Sequence, residues 1–200
     1  MTSTFFAALA LAGAAAFLAT VWWAHWRRPE LDPAQASLSH YLTDATRRGL
    51  IAGYAALVVA MLCLPIAALS ARGFNAANAI LAVCFAIAAL ALVPVVMTTR
   101  PSLSAPDPRS ARSATWHRHA AWLAFVASSL GMLGCAAAGV IATPTAWFPL
   151  SALLLAVINN GLCVATLRPR SQRYGLVQKA LIASIVVWIA GEAFGLLLAQ

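Results

Sequence analysis

Ala120 to Leu167 lies within the longest stretch of this chain without an aspartate, glutamate, lysine or arginine. About 20 apolar residues are enough to cross the hydrocarbon layer of a bilayer, so this run has room for two crossings. Within it, "TPTAWFP" (Thr143 to Pro149) places two prolines among turn-forming residues, where a helix does not easily continue. The run therefore divides into two helices joined by a tight turn. Further runs extend over Met1 to Trp26, Gly49 to Ala71 and Gly73 to Thr99, and a last one from Ala180 to Gln200 is interrupted by Glu192 alone. Six spans are predicted, near residues 4–25, 49–70, 76–98, 119–142, 147–167 and 176–198. The fold class that follows is all-α: a polytopic six-helix transmembrane bundle, one domain over residues 1–200. Composition agrees, because only 9% of residues are charged and the mean hydropathy is +0.85, whereas a soluble domain carries roughly a quarter charged residues.

Residues 1–24 read as a retained first helix and not as a signal peptide, since "MTSTFF" has no basic residue and no small-x-small cleavage site follows. Cys63, Cys84, Cys135 and Cys163 all fall within predicted spans with no close-spaced pair, which argues against a disulfide framework or a zinc knuckle.

With six spans, the connections after helices one, three and five share one side of the membrane. Twelve of the 13 basic residues fall there, from Arg27 and Arg28 to Lys179, leaving Arg72 on the other side. The positive-inside rule makes this side cytoplasmic and puts both termini outside. Trp22, Trp23, Trp26, Tyr41, Trp116 and Trp122 lie at the same level, where amphipathic rings prefer the headgroups. Arg27, Arg28, Arg47, Arg48, Arg118, Arg170 and Arg173 are the candidates for binding anionic lipid headgroups, each contributing about 1 kcal/mol near a charged surface. Nucleic acid is excluded as a partner because no soluble fold remains to present the charge.

The first loop, "SLSHYLTDATRRG", is the most polar part of this face. Asp32-Pro33 has the form of a helix start. From there Leu38, Tyr41, Leu42 and Ala45 recur at helical spacing opposite Ser37, Ser39, His40 and Asp44, predicting an amphipathic segment in the interface plane that leads into helix two. His40 and Asp44 are four apart and share a helical face. That spacing suits a hydrogen-bonded pair, an oriented base or half a metal site, and His117 and His119 enter helix four on the same side. Three histidines and an aspartate would satisfy zinc, but the spacing is nonspecific and no HExxH motif accompanies it. No cofactor is expected.

Asn159 and Asn160, near the middle of helix five, and Glu192, the one acid within a span, stand out among the polar residues of the spans. Asparagines at this depth serve as hydrogen-bonded glue between helices or line a polar path. Glu192, being costly in hydrocarbon, is expected to be protonated or paired with a neutral donor. Pro65 and Pro94 are expected to kink helices two and three. Helix four carries Ala127, Gly131, Cys135 and Gly139 at a spacing of four, and helix one has a similar small surface around Gly13 to Ala16. Both surfaces allow close approach of another helix, within the bundle, in a homo-oligomer or in a partner membrane protein.

Three stretches together resemble the six-span bacterial membrane family catalogued as Domain of Unknown Function 998. "DPAQASLSHYLTDATRRGLIAGYAAL" is similar to its first-loop signature, an Asp-Pro followed by a Ser-x-Tyr motif (Ser39 and Tyr41, with His40 between) and a glycine opening helix two. "ATWHRHAAWLAF" resembles its Thr-x-x-x-His entry to helix four through Thr115 and His119. "YGLVQKALIASIVVWIA" resembles its Gly-Leu-x-Gln-Arg opening of helix six through Gly175, Leu176 and Gln178, with Lys179 in place of the arginine. The resemblance implies six spans over essentially the whole chain. It implies no reaction.

The leading expectation is a noncatalytic multi-pass protein that engages anionic lipid, or a partner, through its basic His/Arg-rich face. A small transporter with a midplane pocket at Asn159, Asn160 and Glu192 is the first alternative. The second is an intramembrane metal-dependent hydrolase using His40, Asp44, His117 and His119. The arginine-rich, alanine-rich composition points to a bacterium with a GC-rich genome, and so to its cytoplasmic membrane.

Overall fold

The structure, a computed structural model, describes residues 1–43, 45–98, 108–143, 145–166 and 173–199, with backbone alone at 108–111. Six helices follow one another: α1 (Thr2–Arg27), α2 (Arg47–Arg72), α3 (Ala76–Met97), α4 (Pro108–Ala142), α5 (Trp147–Ala165) and α6 (Tyr174–Leu198), with a 3-10 helix at Leu38–Tyr41 in the first loop. All six are long and apolar enough to cross a membrane, as the charge-free runs require. Five of the predicted spans match their helices to within about two residues at each end. The exception is α4, which begins eleven positions before residue 119, at Pro108. Apolar runs reveal the part of a helix that lies in hydrocarbon, whereas this extension is polar. Proline suits a first helical turn, and the Ser, Ala and Arg that follow do not break a helix.

Sequential helices pack side by side, α6 closes the ring against α1, and α6 also touches α2 and α4. It is therefore the central post of the bundle, burying Leu181, Ile185, Trp188, Ile189 and Leu196. Outside, Val83, Leu90, Leu154, Val157 and Val164 are exposed, the apolar coat that a lipid-facing surface needs.

Lipid tails are as apolar as leucine, so close packing must hold the helices together. Small residues supply it. A methyl group added at Gly13 would stand 2.5 Å from the Ala56 carbonyl oxygen, and one at Gly53 would stand 2.8 Å from Thr20 Cβ, so α1 and α2 meet almost backbone to backbone. The α4 stripe has a comparable use inside the bundle: Gly131 lies against Cys84 and Phe85 of α3, and Gly139 against Pro149 of α5. Asn159 and Asn160 complete the α4–α5 joint. Ser129 Oγ donates to Asn159 Oδ1 at 3.1 Å, and Asn160 Nδ2 donates to the Ser129 carbonyl at 3.3 Å and to Ala156 of its own helix at 2.8 Å. These asparagines are glue.

Pro65 and Pro94 lie inside continuous helices. The tight α2–α3 turn is set by Gly73, whose φ of 75° is in the left-handed region, and by Asn75, whose side chain caps α3 through the Asn78 N–H at 2.9 Å. The cysteines are unpaired thiols, with Cys63, Cys135 and Cys163 buried.

Candidate functional site

The first loop is built onto the start of α6. Asp32 Oδ1 accepts the Ala34 N–H at 2.8 Å and its carbonyl accepts the Ala36 N–H at 2.8 Å, giving a single closed turn. The chain then extends at Ser37 and re-enters the 3-10 helix. Leu38 and Tyr41 lie fully inside, as the periodicity suggests, but the polar face does not form as expected. The segment does not run as one continuous helix into α2, because its polar groups bond α6 and one another. Ser37 and Ser39, expected on the polar side, are buried for the same reason.

Every conspicuous residue of "YGLVQK" contributes to that joint. Gly175 has no room for a side chain: a methyl there would lie 2.6 Å from the Ala36 carbonyl oxygen. The Leu176 N–H donates to the Ala34 carbonyl at 3.0 Å. Gln178 Oε1 accepts the Leu38 N–H at 3.0 Å, and Lys179 Nζ donates to the Pro33 carbonyl at 2.7 Å while standing 5.1 Å from the centre of the Tyr41 ring.

His40 closes the loop on itself. Its Nδ1 accepts the Ser37 N–H at 3.0 Å and lies 2.8 Å from Ser37 Oγ. This is the return half of a capping box, in which glutamate or glutamine usually stands three residues after the capping serine. Because the backbone N–H can only donate, Nδ1 is the unprotonated nitrogen and the neutral ring carries its proton on Nε2. Ser37 itself is fully buried. His40→Ala is expected to cost about 1 kcal/mol, a typical cap loss, and His40→Gln far less. Thermal unfolding in detergent measures both, and a glutamine as damaging as the alanine would refute the capping role.

The other histidines have separate duties. His25 Nδ1 lies 2.8 Å from the Val21 carbonyl oxygen, and its ring stacks on Tyr41 with centroids 4.4 Å apart. His117 is buried and ties α4 to α3, with Nδ1 3.1 Å from the Thr98 carbonyl oxygen. His119 and Thr115 are exposed. Among the described residues no three of His, Cys, Asp and Glu come together as a metal would require; Asp44 lies outside the described residues. Tyr41 is buried, and its hydroxyl has no hydrogen-bond partner among the described residues. Burial first, then the nearby Asp32 and Glu30 carboxylates, raise its pKa above the ordinary phenol value.

A cavity between α2, α3, α4 and α6 opens beneath this loop. It offers about 30 Å³ to water centres, the size of one or two waters. Ser39, His117, Ser128 and Gln178 are among its polar lining residues, and Phe17, Met61 and Phe125 among its apolar ones.

The arginines divide into two groups. Arg28 pairs with Glu30 and donates to Thr43, holding the Glu30 carboxyl below its ordinary pKa. Arg27, Arg48, Arg112, Arg118 and Arg173 are exposed, and Arg47 is half-buried. The Arg27 guanidinium stands 5.8 Å and 5.9 Å from the Trp23 and Trp26 rings. Arg170 lies outside the described residues. Trp22, Trp26 and Trp116 are also exposed at this end.

Glu192 departs from the expectation of a neutral partner. Its Oε2 accepts Arg72 Nη2 at 3.2 Å, joining the one acid within a span to the one base of the sparse face. Both lie at the same end of the bundle, so each is the partner best placed to offset the other's charge. The expected pocket of Asn159, Asn160 and Glu192 is not assembled either. The asparagines bind α4, whereas Glu192 faces a separate cavity with Arg72, Asn75 and Asn78.

A family model described as "Protein of unknown function (DUF998)" matches residues 11–195. No curated protein and no solved structure matches the chain.

Proposed function

The chain belongs to the DUF998 family, and we propose that it is a noncatalytic multi-pass protein of a bacterial cytoplasmic membrane that gathers anionic lipid at its basic face. That face is cytoplasmic and both termini are periplasmic, by the arginine asymmetry. The observation that supports this reading is the division of the arginines. Arg28 is tied down by its own loop, while Arg27 at the end of α1, Arg48 at the start of α2 and Arg118 in the polar part of α4 stand exposed, as do Trp22, Trp26 and Trp116. A guanidinium held at headgroup depth beside an indole is suited to bidentate contact with a phosphate.

The test uses the full chain in nanodiscs of phosphatidylglycerol and phosphatidylcholine, with retained lipids counted by native mass spectrometry. Phosphatidylglycerol should be enriched. The double variant Arg48→Gln, Arg118→Gln should lose much of that enrichment, at about 1 kcal/mol per arginine, and half-molar salt should weaken it in the native chain. Equal enrichment in the variant, insensitive to salt, would overturn the reading.

A further inference from the structure

The cavity beside Glu192 lies at the opposite end of the bundle from the basic face and goes beyond the reading above. It is a half-open cavity of about 550 Å³, within the range of sites that hold small molecules. Its walls come from the end of α2, the start of α3, the end of α4, the start of α5 and the side of α6. Part of the small-residue stripe of α4, Cys135 and Gly139, leaves the space unfilled.

The lining is mixed: Arg72, Asn75, Asn78 and Glu192 are its polar and charged members, and Ala136 and Phe148 are among its apolar ones. The Glu192 side chain is only 8% exposed and that of Arg72 is 40% exposed. The α2–α3 turn fixes the arginine's position, since Asn78 Nδ2 donates to the Gly73 carbonyl at 2.8 Å just after Arg72.

A buried ion pair is a weak device for stability, because well-packed apolar residues do as well or better. Ionisable groups kept inside a span mark a site of function. Here the two charges cancel, so a ligand of net charge would leave one of them uncompensated. A zwitterion leaves neither. Glu192 accepts one hydrogen bond among the described residues, from a single Arg72 nitrogen; its other oxygen can take an ammonium. The guanidinium, with five N–H donors, retains donors for an anionic oxygen.

We propose that the Arg72–Glu192 cavity binds a small zwitterion, a primary ammonium joined by a short link to a phosphate or carboxylate. The ammonium sits on Glu192, the anion on Arg72, and any apolar remainder lies against apolar members of the lining such as Phe148. A phosphoethanolamine lipid headgroup and a free phosphoethanolamine present this same chemistry.

The experiment distinguishes those sources. The full chain is reconstituted in nanodiscs of phosphatidylethanolamine and phosphatidylglycerol, and retained lipids are counted by native mass spectrometry. Retention of phosphatidylethanolamine by the native chain, reduced at least tenfold in the double variant Arg72→Gln, Glu192→Gln, supports the site with a lipid occupant. The double variant keeps a hydrogen-bonding pair and leaves no lone charge. In phosphatidylglycerol-only nanodiscs, millimolar O-phosphoethanolamine that raises the unfolding temperature of the native chain, but not of the double variant, supports a free ligand. The proposal is overturned if neither probe binds the native chain, or if the double variant binds both equally well. Phosphatidylglycerol enrichment at the basic face is read in the same spectra, so the two proposals succeed or fail separately.

Discussion

Arg72→Met is expected to destabilise the protein by about 3 kcal/mol, and adding Glu192→Gln to restore most of that loss. Removing one partner of a buried ion pair typically costs 3–5 kcal/mol, because the remaining charge has neither water nor a counter-ion. The lower end applies, since Arg72 is 40% exposed and part of its charge is already solvated. Glu192 is the opposite case: 8% exposed, on the central helix, with the arginine as its hydrogen-bond donor among the described residues. The amide in the double variant removes the stranded charge while keeping the shape of the side chain. A double-mutant cycle followed by unfolding in bicelles separates the pair from its surroundings. If Arg72→Met were neutral on its own, the cavity would be supplying enough water to hold the carboxylate, and the ion pair would not be the support of that end of the bundle.

That pair was within reach of the sequence and shows where sequence reasoning stops. Length and charge-free runs are enough to place six helices, because a bilayer imposes one requirement on every span: an apolar length. They also divide the chain into a basic and a sparse face. What a run cannot show is which residues meet across the bundle, and Arg72 and Glu192 are 120 positions apart. A charge count for the sparse face alone would have paired them, since each is the single member of its sign there. The asparagine–glutamate pocket failed for the same reason. Shared depth in a membrane is not shared position around the ring, and Asn159 and Asn160 face α4.

The first loop was legible in a different way. Its periodicity placed Leu38 and Tyr41 inward, as found, because burial of apolar side chains is a local signal. The buried serines and the histidine cap were not legible, since they depend on an acceptor from α6 and on an imidazole standing where a carboxylate or amide is usual. Two of the three motifs that carried the family resemblance prove to be halves of one joint, "DPAQASLSHY" seated on "YGLVQK". The third, at Thr115 and His119, lies on an exposed surface and takes no part in that joint. The two stretches thus have a structural explanation that needs no reaction: they hold the basic-face loop in one shape, with Ser39 and Gln178 over the inner cavity.

If that joint sets the shape of the basic face, its tightest point should be the least tolerant of change. Gly175→Ala is expected to cost about 3 kcal/mol, at the upper end of what one extra carbon does in a packed site, and Gly175→Leu to release the loop from α6 altogether. The added carbon would meet the Ala36 carbonyl oxygen at 2.6 Å and the Gln35 carbonyl carbon at 2.7 Å. These are backbone atoms that cannot rotate away like a side-chain tip. Gly161 and Gly191 are the controls, since each is helical with nothing within 4 Å of an added carbon. Alanine at either should be neutral, or stabilising by up to about 1 kcal/mol through helix propensity. Unfolding temperature reports the cost, and trypsin reports its location, because a detached loop exposes the bonds after Arg47 and Arg48 to cleavage. Faster cleavage in Gly175→Leu with the other helices still protected means the joint, and not the bundle, has failed. Unchanged cleavage would mean the loop keeps its shape without α6, and the pairing of these two stretches would lose its physical explanation.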